Sequence, residues 1–325
     1  MTFSEISDWA GVFALLLFCV AATLRASKLL RSNAHFATRL AKESEIRTEV
    51  CQVALPVVVT DRLGQFVSGL KPEDFSVFEN GKPQMISAFG NENLSMTVGL
   101  VVDSSESMRT KRGEVRAAAM SFTESSNPDD EIFVVNFNER ASLSWPPNVF
   151  FPSNVDQLEA TLAKYHPQGE TALYDAIFLA MKQLKLGSRE RKSLLVISDG
   201  EDNASRISSQ QVLAAAESNN FVSIYILAIQ NKENIDSNGE FLNRLAKVTG
   251  GKAHFIGCRS EVSRIGRQIA REVHEQYTLV YWPSPVAHNG AFRTIRVVAQ
   301  TPAQSKLLVH TRASYLAQKD PVPSL

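Results

Sequence analysis

Residues 98–107 read Val-Gly-Leu-Val-Val-Asp-Ser-Ser-Glu-Ser and join an apolar run to a group of small oxygen-bearing side chains. The run 98–102 predicts a buried β-strand. Asp103, Ser105 and Ser107 follow it without an intervening loop, at positions i, i+2 and i+4. A carboxylate and two hydroxyls are hard oxygen ligands that suit a divalent cation such as Mg²⁺. The stretch therefore predicts a strand of a buried sheet that ends at a candidate metal site.

The region 95–275 alternates strand and helix patterns. Near-continuous apolar runs indicate strands that are buried on both faces, and the segments between them repeat their apolar residues with the period of a helix. Residues 139–145 follow a strand too closely for a crossover helix, so they predict an antiparallel edge hairpin. We predict an α/β domain with a doubly wound, mostly parallel sheet and flanking helices. The predicted strands are 98–102, 132–137, 194–197, 222–229 and 252–256.

The two flanks of that region carry β patterns. In 50–92, a strand over 75–78 runs into an Asn-Gly turn, a strong hairpin signal, and 85–89 is predicted as the return strand. About 40 residues of β-structure bury too little surface for a stable core. We therefore predict that 50–92 and 277–315 form one small antiparallel β module, into which 95–275 is inserted. Residues 316–325 are predicted to be a tail.

Residues 1–49 are predicted to be a hydrophobic segment followed by a linker. The stretch 9–24 has no charged residue. Its length is slightly short of the roughly 20 residues that a straight transmembrane helix needs. A retained membrane anchor, a cleaved signal peptide and a buried helix all fit it. Acidic residues precede the stretch and basic residues follow it, so its orientation stays open. We expect a protein that is membrane-anchored or exported to the cell envelope or periplasm.

The composition excludes several function classes. Lysine plus arginine and aspartate plus glutamate each number 34, and no basic run is interleaved with aromatic residues, so nucleic acid is not an expected partner. The three cysteines Cys19, Cys51 and Cys258 are far apart and form no Cys-x-x-Cys pair, which argues against a thiolate zinc site. Cys51 and Cys258 pair in an oxidising compartment or remain two separate thiols.

Polar residues follow several of the predicted strands. Asp103 ends the predicted strand 98–102, and Asp199 ends the predicted strand 194–197 within Ser-Asp-Gly. Thr171 lies in the loop that opens a helix predicted over 172–186. Each of these residues alone is explained as a turn or helix-cap residue. Ligands of such sheets bind at the carboxyl ends of the strands. Together the residues predict one metal site, formed by Asp103, Ser105, Ser107, Thr171 and Asp199.

Other polar residues near these loops have simpler explanations. Asp175 complements the dipole of the helix that follows Thr171. The histidines have no partner at metal-ligand spacing, so zinc is not expected. The remaining acids are predicted to be solvated loop residues, with a second cation site as the alternative: Glu106, Glu170, Glu201 and Asp202.

Three motifs together resemble the metal-ion-dependent adhesion site of von Willebrand factor type A domains, over about 95–275. They are Asp103-x-Ser105-x-Ser107, Gly169-x-Thr-Ala-Leu-Tyr-Asp175 and Ser198-Asp-Gly200. The segments Val57-Val-Val-Thr-Asp61, Leu70-Lys-Pro-Glu-Asp-Phe75 and Val77-Phe-Glu-Asn-Gly-Lys-Pro-Gln84 are similar to the VWFA-related domain family of acidobacteria, which extends the resemblance to about 50–315. The resemblance implies that Ser105, Ser107 and Thr171 bind Mg²⁺, or Mn²⁺ or Ca²⁺, directly. It also implies that Asp103 and Asp199 act largely through bound water.

The resemblance implies an adhesion-type binding module, which captures an Asp or Glu of a partner protein through the cation. The alternatives are a metal-braced structural scaffold of the cell envelope and, less favoured, a metal-dependent hydrolase. The sequence contains no Gly-x-x-x-x-Gly-Lys-Ser/Thr, Gly-x-Gly-x-x-Gly or Gly-x-Ser-x-Gly motif. We therefore expect a protein that is not an enzyme.

Overall fold

The structure is a computed structural model that describes residues 52–91, 94–147, 149–152, 154–218, 222–229, 238–285, 290–301 and 307–317. The expected anchor or signal at 9–24, the linker after it and Cys51 lie outside the described residues. No helix in the described ranges is long and apolar enough to cross a membrane. Cys258 is exposed, with its sulfur 3.0 Å from Ser260 Oγ. The two alternatives for Cys51 and Cys258, a disulfide or two separate thiols, therefore both stay predictions.

The described residues form β-strands and α-helices in an order that alternates through the middle of the chain. The strands are β1 (Val53–Thr60), β2 (Phe75–Glu79), β3 (Lys82–Gln84), β4 (Ile86–Gly90), β5 (Thr97–Asp103), β6 (Glu131–Phe137), β7 (Ala141–Leu143), β8 (Phe151–Pro152), β9 (Lys192–Ser198), β10 (Val222–Ile229), β11 (Ala253–Ile256), β12 (Tyr277–Tyr281), β13 (Phe292–Ala299), β14 (Leu308–His310) and β15 (Ser314–Leu316). The α-helices are α1 (Arg112–Glu124), α2 (Val155–Leu162), α3 (Leu173–Leu184), α4 (Ser209–Ser218), α5 (Gly239–Thr249) and α6 (Val262–His274). Short 3₁₀ helices cover Pro72–Asp74, Glu106–Lys111 and Arg259–Glu261.

The central sheet has seven strands in the order β11-β10-β9-β5-β6-β7, with β8 also paired to β6. The five strands from β11 to β6 are parallel, and β7 and β8 run antiparallel at the edge. The predicted mostly parallel sheet and its edge hairpin are confirmed. The strand order reverses between β5 and β9, which is where ligands bind in open α/β sheets.

Both faces of this sheet are covered because its strands are apolar on both sides. β5 is buried along its whole length. Helices α1, α2 and α6 pack on one face, and α3, α4 and α5 pack on the other. Gly99 lets β6 pack closely, since a Cβ at that position would lie 2.4 Å from the Phe133 ring. The flanking helices that the apolar period predicted are confirmed.

The two flanks of the chain pair with each other. The antiparallel sheets β14-β1-β12-β4 and β15-β13-β2-β3 each contain strands from both flanks, as in the pairing of Leu55 with Leu279 and of Val77 with Val297. Their apolar side chains form one core. The antiparallel module predicted from the two flanks is present, and the central sheet is inserted between its halves in the sequence.

One strand of this module was assigned wrongly from the sequence. The Asn80-Gly81 turn has positive φ at both residues, 48° and 78°, and sets Glu79 opposite Lys82. Such a tight turn lets pairing resume at once, so the return strand is β3 rather than 85–89. The chain then leaves this sheet at Met85, which is 86% exposed, and β4 pairs with β12 in the other sheet.

Candidate metal centre

Asp103 lies at the carboxyl end of β5 and is 2% exposed. Its Oδ1 accepts hydrogen bonds from the backbone N–H of Ser105 (2.9 Å) and from Ser105 Oγ (2.6 Å). Its Oδ2 accepts a hydrogen bond from Ser198 Oγ, at 2.6 Å. Ser105 Oγ also lies 3.1 Å from Ser107 Oγ. The structure therefore brings the residues of the Asp-x-Ser-x-Ser motif into one hydrogen-bonded cluster.

The charge of Asp103 is poorly stabilised in this position. Burial raises the pKa of its carboxyl group to about 6, although the hydrogen bonds from Ser105 and Ser198 oppose the shift. The nearby charge of Asp199 raises this pKa further. A buried anion whose donors are neutral hydroxyls and an amide gains stability from a cation placed beside it.

Asp199 follows β9, and its carboxylate is held by a lysine. Its Oδ2 accepts a hydrogen bond from Lys111 Nζ at 2.9 Å, and both side chains are more than nine-tenths buried. Lys111 ends the short 3₁₀ helix that begins within the Asp-x-Ser-x-Ser motif. Lys111 was not predicted as a site residue, because a basic residue at a helix end is usually solvated and no spacing signal pairs it with Asp199.

The loop that carries Thr171 is joined to the loop of Asp103. Gln168 N–H donates to the carbonyl oxygen of Ser104, and Glu106 N–H donates to the carbonyl oxygen of Gly169, each at 3.0 Å. Gly169 has φ of 75°, a left-handed conformation that favours glycine. These two backbone bonds fix the position of the Thr171 loop beside the Asp-x-Ser-x-Ser motif.

Thr171 is also joined to the segment after Asp199. Its N–H donates to Asn203 Oδ1 at 2.7 Å, and its carbonyl oxygen accepts from Asn203 N–H at 2.9 Å. Thr171 is 2% exposed and precedes α3, whose N-cap is Ala172. The local explanation of Thr171 as an N-cap is therefore wrong. The five predicted site residues come from three loops that backbone and side-chain hydrogen bonds tie together.

Three of the other acids near these loops have partners of their own. Glu106 is exposed and pairs with Arg109 at 2.6 Å. Asp202 accepts hydrogen bonds from Tyr174 N–H and Ser205 Oγ, and burial raises its pKa. Asp175 accepts hydrogen bonds from the backbone of residues 206 and 207. Glu170 is exposed, and Glu201 is half-buried.

The donor set fits a hard divalent cation. Across the ranges that the structure describes, no group of three or more His, Cys, Asp or Glu side chains is arranged to hold a metal ion. The candidate centre instead combines carboxylates with hydroxyls at the point where the strand order reverses. Oxygen donors of this kind suit Mg²⁺, which keeps several waters when it binds a protein.

Comparisons with solved structures give low sequence identities. The conserved hypothetical protein BatB from Bacteroides thetaiotaomicron is 17% identical, with 55% of this chain and 98% of that chain covered and a TM-score of 0.43. A von Willebrand factor type A protein from Catenulispora acidiphila is 12% identical, with 84% and 76% covered and a TM-score of 0.49. The PilB minor pilin from Streptococcus sanguinis is 13% identical, with 57% and 62% covered and a TM-score of 0.45. No curated protein matches this chain.

The profile of the von Willebrand factor type A domain matches the part of the chain that holds the candidate centre. The matched residues are 98–201, which run from β5 to the loop after Asp199. Domains of this family commonly mediate protein–protein interactions. The narrower resemblance to the acidobacterial VWFA-related family stays a prediction. The mostly parallel sheet, its covered faces and this match identify the region as a von Willebrand factor type A domain.

Proposed function

We propose that this chain is a protein-binding module that captures an acidic side chain of a partner protein through a divalent cation. Ser105, Ser107 and Thr171 would hold the cation directly, while Asp103 and Asp199 would act largely through bound water. Mg²⁺ is the proposed ion, with Mn²⁺ and Ca²⁺ as alternatives. The proposed partner supplies a single Asp or Glu.

The observation that carries this proposal is the junction of three loops. The Asp103 carboxylate accepts hydrogen bonds from Ser105 and from Ser198, which precedes Asp199 in the chain. The Thr171 loop joins the same cluster through the backbone bond from Glu106 to Gly169. Three loops that are distant in the sequence therefore meet at one edge of the sheet, and each carries at least one of the proposed oxygen ligands.

The chemistry of the donors supports capture of an acid. Neutral hydroxyls leave most of the charge of a divalent cation unbalanced, so the bound cation attracts a carboxylate from outside. The alternative of a structural brace is less favoured because backbone hydrogen bonds already tie the loops together. A hydrolase is also less favoured, since both oxygens of Asp103 accept hydrogen bonds and the side chain is buried.

A pull-down tests this function. The chain would be used as bait in a native envelope fraction, with Mg²⁺ or with EDTA, as wild type, as Asp103→Ala and as Asp129→Ala. Asp129 is an exposed acid in the loop before β6, so its variant is the matched control. We expect wild type and Asp129→Ala to retain a partner protein in Mg²⁺ and to lose it in EDTA. Asp103→Ala should not retain that partner.

Three results would reject the proposal or change it. Partner capture that neither EDTA nor Asp103→Ala affects would show that the cluster is not the binding site. A thermal shift with Mg²⁺ but no partner sensitive to the site would favour the structural scaffold. Hydrolysis of a generic phosphoester that depends on Mg²⁺ and is lost in Asp103→Ala would favour the enzyme.

A further inference from the structure

Lys111 is a buried lysine at the candidate metal centre. Its Nζ lies 2.9 Å from Asp199 Oδ2, and 9% of its side chain is exposed. Lysine is almost never buried without a charged partner, because removing an ammonium group from water is costly. The same carboxylate is one of the five residues proposed to bind the cation. Lys111 and the cation therefore share Asp199 as a partner.

The buried charges around the centre do not cancel. Asp103 and Asp199 contribute two negative charges, and Lys111 contributes one positive charge, so one negative charge remains. The exposed acids Glu106 and Glu170 change this balance little, because water and salt screen their charges. Arg109 is also exposed and pairs with Glu106 rather than with the buried carboxylates.

We propose that Lys111 is a positioning residue that competes with a divalent cation for Asp199 and thereby weakens the binding of the cation. This inference rests on the proposed function of the centre. When a divalent cation is bound, the buried groups and the cation together carry one positive charge. One carboxylate from a partner neutralises that charge, so the centre is matched to a single acidic side chain.

Titration with Mg²⁺ tests this role in the purified full chain. Wild type, Lys111→Met and Arg109→Met would be titrated with MgCl₂ by calorimetry. Lys111→Met removes the ammonium group and keeps a similar chain length. Arg109→Met removes a positive charge from the same 3₁₀ helix at an exposed position and is the control. We expect Lys111→Met to bind Mg²⁺ at least tenfold more tightly than wild type, and Arg109→Met to bind it as wild type does.

A purely structural role for Lys111 gives a different result. Loss of a structural lysine would leave the Mg²⁺ affinity unchanged or lower it, and either outcome would overturn the inference. If Lys111→Met does not fold, Lys111→Gln keeps a hydrogen-bond donor for Asp199 without the charge and carries the same expectation. Equal Mg²⁺ binding by wild type and the variant rejects only the role of Lys111. Absence of Mg²⁺ binding in both rejects the proposed function as well.

Discussion

Ser198 Oγ donates a hydrogen bond of 2.6 Å to Asp103 Oδ2, although 95 residues of chain separate the two. The contact forms because β5 and β9 are neighbouring parallel strands, with Val102 opposite Ile197. The carboxyl ends of both strands therefore lie at the same edge of the sheet. The geometry of the candidate centre follows from strand pairing in the sheet, and not only from the local Asp-x-Ser-x-Ser sequence.

The stability of the metal-free protein should depend on the ionisation of Asp103. The pKa of this group is about 6 in the folded protein and 3.8 for an unperturbed carboxyl. Because the folded state holds this proton more tightly than the unfolded chain does, protonation of Asp103 stabilises the folded state. That stabilisation is complete below pH 3.8 and is lost as the pH rises to about 6. The free energy of unfolding of wild type should fall by roughly 3 kcal/mol relative to Asp103→Asn over that window. Urea denaturation in EDTA, at the two ends of the window, measures this difference.

The same comparison contains its own control. Groups distant from Asp103 contribute alike to both proteins, so their contributions cancel in the difference. Parallel pH dependences for wild type and Asp103→Asn would contradict the account of a buried carboxyl with a raised pKa.

The hydroxyl group of Thr171 should contribute to cation binding more than to stability. Thr171→Val removes the hydroxyl and keeps the shape, so we expect the Mg²⁺ affinity to fall at least tenfold. Thr161→Val is the control, because Thr161 is also buried but its hydroxyl donates to the Gln157 carbonyl within α2. Calorimetric titration with Mg²⁺ measures both. A loss of affinity in Thr161→Val as large as that in Thr171→Val would show that the effect is indirect.

Glu79 should be important for the stability of the β module. This buried carboxylate accepts hydrogen bonds from Tyr281 (2.8 Å), Tyr315 (2.9 Å) and Arg293 (3.0 Å), which lie on three other strands. Glu79→Gln leaves the Arg293 charge without its partner, so we expect a loss of about 3–5 kcal/mol in the free energy of unfolding. Denaturant unfolding measures the loss. Glu73→Gln, at an exposed position, is the control. If Glu79→Gln lowered the free energy of unfolding as little as Glu73→Gln does, that would contradict the stabilising role of the hydrogen bonds to Glu79.

The pairing of the two flanks predicts the effect of a truncation. β1 pairs with β12 and β14, and β2 pairs with β13, so deletion of residues 277–325 removes their partners. We expect limited proteolysis to cut rapidly within 52–90 of the truncated chain. A chain that ends at residue 317 keeps every described strand and is the control. Continued protection of 52–90 in the truncated chain would contradict a shared module.

The sequence predicted the parts of the centre that follow from strand ends. Asp103, Ser105 and Ser107 are adjacent to an apolar strand, and the rule that parallel strands end at one edge placed Asp199 with them. The same rule does not predict side-chain partners across loops. The bond from Ser198 to Asp103 and the pairing of Lys111 with Asp199 depend on side-chain directions that no sequence spacing encodes.

The β module shows a second limit of sequence reasoning. The hairpin signal at the Asn-Gly turn predicted a return strand over 85–89, and the structure has β4 there. The pattern does not state which strand is the partner. Because Asn80-Gly81 closes a two-residue turn, β2 pairs with the short β3, and β4 is left to pair with β12. Pairing between distant segments is set by the shared core, which the local pattern does not contain.

A crystal structure of the protein grown with Mn²⁺, with anomalous diffraction data, tests the central claim most directly. Mn²⁺ binds the oxygen ligands that suit Mg²⁺ and marks its own position. The account predicts an anomalous peak within bonding distance of the hydroxyl oxygens of Ser105, Ser107 and Thr171, with Asp103 and Asp199 around it. Fully occupied Mn²⁺ elsewhere on the chain, with no peak among these hydroxyls, would contradict it.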